Sequence, residues 1–175
     1  EGAAFFRRHG YTHSRESNAF DMRAVLPYPG NDPYPLGYSR AGVTYRLAGP
    51  ADRESLLRCT DDAAPYFTEY YTNEEMYRHG SIVCAVSETD GEVLGCLIAD
   101  GARGGLGSIG CVAVANRARG RGVASDMVRC ATRYITDKGS VRGFLSYTYT
   151  GLDKLYGKAG FRISVYYMMA AKVLR

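Results

Sequence analysis

Three arginines, Arg117, Arg119 and Arg121, are interleaved with Gly120 and Gly122 between an apolar run, residues 109–114, and a helical pattern. A strand-to-helix junction of this composition makes an anion cradle. Glycine lets the backbone approach a ligand closely and removes side chains that would block it. The first N–H groups of the following helix have no intrahelical acceptor and point into the loop, and the helix dipole adds partial positive charge there. The ligand predicted is a phosphate or pyrophosphate, held by Arg117, Arg119, Gly120, Arg121, Gly122, Val123 and Ala124, with a hydroxyl available from Ser125.

Two nucleotide motifs are excluded. A Walker loop needs Gly, four residues and then Gly-Lys-Ser/Thr, and no such run exists. A dinucleotide fingerprint needs a third Gly where Ser125 stands. What fits is Arg-x-x-Gly-x-Ala, read at Arg119, Gly122 and Ala124. It resembles the pyrophosphate loop of the GNAT superfamily of acyl-CoA-dependent N-acyltransferases. A second match follows at the expected distance: Leu155-Tyr156-Gly157-Lys158-Ala159-Gly160-Phe161 resembles the family's C-terminal LYxKxGF helix-to-strand signature. The resemblance covers residues 43–175.

The resemblance implies acetyl-CoA as cofactor, its pyrophosphate on the N–H groups of residues 119–124 and its pantetheine amides on the backbone of Val112, Ala113 and Val114. It makes Tyr156 the general acid toward the thioester sulfur. A phenol with an ordinary pKa of about 10 is protonated at neutral pH and can donate to a thiolate; the bland alternative is a tyrosine packed at a helix start. Where the family often has an Asn that touches the cofactor, this chain has Tyr149. Many members carry a general base, a Glu, on a central strand, and residues 107–114 hold no acid. Glu69, Glu74 and Glu75 lie in the region that borders the acceptor in the family, as does Glu88 at a strand end, and for each a solvent-exposed surface carboxylate is the favoured reading. The acceptor site is expected between residues 65–77 and the strand at 145–149, an aromatic wall that includes Tyr70, Glu74, Tyr147 and Tyr149. Such a wall suits a small amine; a core or partner face is the alternative. The function implied is N-acetyl transfer to a primary amine of a small molecule by direct attack on the thioester. Protein N-termini or lysines are a variant, and a non-catalytic CoA-binding or regulatory module is the reading of a different class.

Elements in alternation must position these residues. Strands are expected at 43–47, 82–86, 93–99, 109–114, 143–147 and 161–173. Helices are expected from 50, in parts of 63–79, at 123–137 and at 152–158, with a Gly-rich turn at 101–107. Val123, Met127, Cys130, Ala131 and Tyr134 recur at helical spacing. The order predicts an α/β domain with a mixed, mostly antiparallel central sheet flanked by helices. Residues 1–25 stand outside that order. Ala3-Ala4-Phe5-Phe6-Arg7-Arg8-His9-Gly10-Tyr11 looks like a second LYxKxGF signature, and residues 18–25 read as the strand after it. Residues 26–42 hold four of the six prolines and read as a linker. The expectation is the tail of a preceding GNAT-like module, a linker and one GNAT domain, 43–175; a native arm packed on the domain is the alternative. An orphan strand in the tail would offer its edge to a homodimer partner or to the preceding module.

Composition fits. Hydrophobic residues make 46% and charged residues 23%, as in soluble globular chains. The net charge of +4 is too small to argue for nucleic acid. No apolar run reaches membrane-spanning length, and five scattered cysteines without a C-x-x-C pair read as reduced core residues of a cytoplasmic protein. His9, His13 and His79 have no metal-ligand spacing, so no metal is expected.

Overall fold

In the computed structural model, which describes residues 2–27 and 34–173, the chain runs α1 (Gly2–Arg8), β1 (Thr12–Val25), β2 (Ser39–Arg40), β3 (Val43–Leu47), α2 (Arg53–Ala63), α3 (Glu74–Arg78), β4 (Ile82–Ser87), β5 (Val93–Arg103), β6 (Leu106–Val114), α4 (Val123–Asp137), β7 (Arg142–Tyr149), α5 (Asp153–Gly157) and β8 (Arg162–Ala171). Single 3-10 stretches cover Pro50–Asp52, Pro65–Tyr71 and Asn116–Ala118. All strands join one eight-stranded sheet in the order β2-β3-β4-β5-β6-β7-β1-β8. Every neighbouring pair is antiparallel except β6 and β7. This is the mixed α/β architecture expected from the sequence.

Helices α4 and α2 cover the two faces of the sheet because each has one apolar stripe. On α4, Val123, Met127, Val128, Cys130, Ala131 and Ile135 are all at most 2% exposed. That helical spacing lays α4 across β5 and β6. Each large side chain so buried contributes about 1.5–3 kcal/mol. A second core, under α2 and the 65–71 stretch, holds Leu56, Tyr71, Tyr77, Ile82 and Cys96.

Three expectations are corrected. The 101–107 stretch is not a turn throughout: β5 runs to Arg103, β6 starts at Leu106, and only Gly104 and Gly105 take positive φ. The linker is not wholly apart from the domain. Residues 28–33 lie outside the described residues, but Ser39 and Arg40 pair with β3, and Tyr34, Leu36 and Tyr38 pack on the main core. The arm does not present an orphan strand. β1 is inserted between β7 and β8 with both its edges paired, and it buries Phe20, Met22 and Ala24 in the main core.

The sheet opens between β6 and β7. Their parallel pairing covers only Leu106↔Arg142, Gly107↔Gly143 and Ser108↔Phe144. Beyond it, Cys111 (φ 50°) and Tyr147 (φ 52°) take left-handed conformations, which cost a non-glycine residue about 1–2 kcal/mol. Continuing the register offset of 36 (142 − 106) sets the two bulges level with each other across the opening (147 − 111).

Candidate functional site

The loop between β6 and α4 forms from its own local chemistry. Gly120 (φ 75°) and Gly122 (φ 83°) occupy the left-handed region, which residues with a Cβ avoid. A Cβ at either would meet nothing within 4 Å, so both glycines border open space. Gly122 is the N-cap of α4 and offers no side-chain acceptor to the first turn. The N–H groups of Val123, Ala124 and Ser125 therefore face outward, toward whatever fills the loop.

A cleft of about 340 Å³ lies in front of them, lined by Val114, Ala118, Arg119, Gly120, Gly122, Val123, Ala124, Ser125, Leu155 and Lys158. The loop and α5, distant in sequence, thus form one anion-shaped recess. Lys158 stands in the LYxKxGF signature, yet only the packing of α5 beside the loop makes it part of the cleft lining.

The three arginines do not act as one cluster, and this corrects the expectation. Arg119 donates from Nε to the Val114 carbonyl (3.3 Å) and from Nη2 to the Ala63 carbonyl (3.1 Å), tying the loop to the end of α2. Arg117 pairs with Asp90 at 3.3 Å and lines a different, polar cleft with Arg58 and Glu92. Arg121 is exposed, with no ion-pair partner among the described residues. The start of the loop is anchored separately: Asn116 donates its backbone and side-chain amides to Asp62 at 2.7 and 2.8 Å, and those bonds hold the Asp62 carboxyl below its ordinary pKa.

Of the expected strand residues, Val114 lines the cleft, Val112 is half-buried against the main core and Ala113 is buried in the second core. Their backbone lies on the β6 side of the opening. Tyr71 of the 65–71 stretch donates to the Cys111 carbonyl and holds the bulge from behind. Tyr156 is 5% exposed, edge-on to Phe161 at 6.5 Å. Its hydroxyl has no hydrogen-bond partner among the described residues, and burial beside Cys111 pushes it up to about 12. It is a fully protonated phenol at neutral pH.

The acceptor wall is split. Tyr147 and Tyr149 form an exposed ring cluster with Tyr167, at 5.6 and 5.9 Å. Tyr70 and Tyr66 pack about Phe67, which leans on the second core. No ring contact among the described residues joins the two groups. Glu74 belongs to neither. It pairs with Arg78 at 3.7 Å on the surface of α3, and α3 packs on the turn at residues 50–52, so its expected substrate role is not supported by the geometry.

A carboxylate not foreseen stands behind the β7 bulge. Asp21 of β1 is 6% exposed. It accepts the Tyr147 N–H at 2.9 Å and the Tyr167 hydroxyl at 2.6 Å. That bond raises the Tyr167 pKa. Asp21 thus fixes one bulge and one phenol of the aromatic cluster. Only its position in a strand inserted next to β7 gives it that role.

Residues 51–161 match the model of the acetyltransferase (GNAT) family. No curated protein matches the chain significantly. Among solved structures, the glucosamine N-acetyltransferase region of a fungal multi-domain GH3 β-N-acetylglucosaminidase is similar at TM-score 0.81 and 18% identity, over 97% of this chain and 22% of that one. A GCN5-related N-acetyltransferase from Sphaerobacter thermophilus follows at TM-score 0.76, 21% identity, 97% of this chain and 55% of that. A tandem GNAT protein from the clavulanic acid biosynthesis pathway gives TM-score 0.70 and 14% identity, over 97% and 57%. The chain therefore spans from about a fifth to just over half of these relatives' lengths, and at such identities the likeness concerns the fold. None of the described helices is long and apolar enough to cross a membrane.

Proposed function

The chain belongs to the acetyltransferase (GNAT) family, and we propose from that premise that it transfers an acetyl group from acetyl-CoA to the primary amine of a small molecule. The observation that carries this reading is one recess lined by the open N-terminus of α4, by Val114 at the end of β6 and by Leu155 and Lys158 at α5, with the buried Tyr156 next to Leu155 on that helix and beside Cys111 of β6.

Acetyl-CoA fits the donor set. Gly120, Gly122 and the N–H groups of Val123 to Ser125 suit a pyrophosphate, and Lys158 and Arg121 add full positive charge. The free edge of β6 at Val112–Val114 offers amide and carbonyl groups to an extended chain. Bound there, the thioester supplies an activated acetyl carbonyl to an attacking amine. The amine nitrogen forms the C–N bond as the C–S bond breaks; Tyr156 gives its hydroxyl proton to the departing sulfur, and the proton shed by the nitrogen passes through water and restores the phenol. Tyr147, Tyr149 and Tyr167 present ring faces to a small amine, and Asp21 holds the Tyr147 backbone and the Tyr167 hydroxyl in place. One neighbour is described as a glucosamine N-acetyltransferase region, which makes glucosamine a sensible first probe.

A second reading, CoA binding without turnover, is favoured by one observation: β6 carries no carboxylate to serve as base. The test is a calorimetric titration with CoA and acetyl-CoA of the protein and of Lys158→Ala and Ala124→Glu. Micromolar binding, weakened at least about tenfold (1.4 kcal/mol) in both variants, supports the recess as the cofactor site. Thiol release with glucosamine, tyramine and lysine as acceptors then separates the two readings. Binding without release above the blank favours the silent module; no binding removes both.

A further inference from the structure

The N-terminal and C-terminal ends of the described chain repeat one structural unit. In the first, Tyr11 N–H donates to the Phe6 carbonyl (3.0 Å), Gly10 N–H to Arg7 (3.1 Å) and His9 N–H to Phe6 (3.1 Å). In the second, Phe161 N–H donates to Tyr156 (3.2 Å), Gly160 N–H to Gly157 (3.1 Å) and Ala159 N–H to Tyr156 (2.9 Å). The glycines sit at φ 81° and 87°. An edge-on ring pair closes each turn, Phe6–Tyr11 at 5.4 Å and Tyr156–Phe161 at 6.5 Å. Helix, turn and strand correspond throughout at an offset of 150 residues (156 − 6, 161 − 11), as far as the basic residue in each, Arg8 and Lys158.

Their surroundings differ. Tyr156 and Phe161 are 5% and 0% exposed, while Phe5 and Phe6 are 53% and 48% exposed. Helix α1 packs on its own strand, β1. A seven-residue helix with two adjacent phenylalanines in water lacks the packing that makes short helices persist.

The two strands of the repeated unit are antiparallel neighbours, β1 beside β8, and the pair Asn18↔Met168 has the same offset of 150 (168 − 18). A pseudo-twofold axis through that pair exchanges the units. It also exchanges their outer neighbours. On its far side β1 pairs with β7; on its far side β8 is the end of the sheet, with Val165 and Tyr166 41% and 70% exposed.

We propose that α1–β1 is the closing unit of a second module of this same fold, preceding this one in the polypeptide, and that this module covers Phe5 and Phe6 and pairs its counterpart of β7 with the open edge of β8. A second copy of this chain is a poorer occupant, because its β7 is already paired with its own β1. The one-to-two length ratio to relatives such as the tandem protein has the size such an arrangement requires. The proposal rests on the fold and is independent of catalysis.

The test uses the native gene product, tagged at its C-terminus, beside the 175-residue chain. Intact mass reads the length, and hydrogen exchange with sedimentation reads the edge. A product well above 19.2 kDa, with β8 amides exchanging about tenfold more slowly than in the 175-residue chain, is the expected result. Phe6→Asp should then lower the Tm of the native product by more than that of the 175-residue chain, where it removes the Tyr11 ring contact. A product of 19.2 kDa, equal exchange in the two, an equal Tm loss in both, or a dimer of the 175-residue chain with protected β8 amides would each overturn the proposal.

Discussion

Tyr156→Phe separates chemistry from packing at a residue where both are available. The ring is 5% exposed and edge-on to Phe161. Phenylalanine preserves that contact, and the hydroxyl it removes bonds to none of the described residues. Stability should therefore change by less than about 1 kcal/mol. The cofactor recess is lined by Leu155 and Lys158 rather than Tyr156, so CoA affinity should hold within about twofold. Loss of a general acid removes roughly 10²–10⁴ in rate, about 2.7–5.4 kcal/mol at 1.36 kcal/mol per decade. Burial raises the phenol to about 12, so it stays protonated and the native rate should show no decline from this group across the neutral range. The assay is single-turnover thiol release from acetyl-CoA at saturating amine, which removes product release from the reading, with calorimetry of CoA on both proteins. A drop under threefold with intact CoA affinity, or a falling limb near pH 9 that vanishes in the variant, would refute the assignment.

Asp21→Asn removes the charged acceptor shared by the Tyr147 N–H and the Tyr167 hydroxyl; we expect a stability loss of about 1–3 kcal/mol and a raised acceptor KM at unchanged CoA affinity, read by urea melts and steady-state kinetics. Arg119→Ala should lower stability by about 1–2 kcal/mol through its two carbonyl bonds, whereas Arg121→Ala should leave the melting curve in place and weaken CoA binding most at low salt; the opposite pattern would show that the loop is held otherwise. Burial raises the Cys84 thiol from 9.0 to about 12. The stability tied to its neutral form is complete below the unfolded pKa and is lost as pH rises from there toward 12. Between about pH 8 and pH 10.5 that loss is on the order of 2 kcal/mol, and Cys84→Ala should flatten the alkaline decline in urea midpoints by that share.

What was legible in the sequence was local. The sequence marks helix 123–137 with its ends in place, because Gly122 and Gly139 punctuate it and its apolar spacing is strong. The loop is legible because glycine and helix N-terminus act within a few residues of each other. What escaped reading depends on partners far along the chain. Arg119 looked like a cofactor ligand, and its acceptor on Ala63 lies 56 residues away. Asp21 gave no signal, since its bonds to Tyr147 and Tyr167 exist only once β1 enters the sheet. Residues 101–107 looked like a turn because five of the seven positions that border or fill it are Gly or Ala, yet only Gly104 and Gly105 needed the left-handed region. Glu74 was near the acceptor region in sequence, and the orientation of α3 takes it elsewhere.

The place of β1 in the sheet also sets a timetable for synthesis. Ala19 pairs with Tyr149, so this residue of the strand leaves the ribosome 130 residues (149 − 19) before its β7 partner exists. At about 5–20 residues per second it waits roughly 7–26 s, carrying Phe20 and Met22 without a core to enter. During that interval it is an unpaired strand of the kind that recruits other strands. The nascent chain thus has a defined window of vulnerability, which closes only when β7 and β8 have emerged.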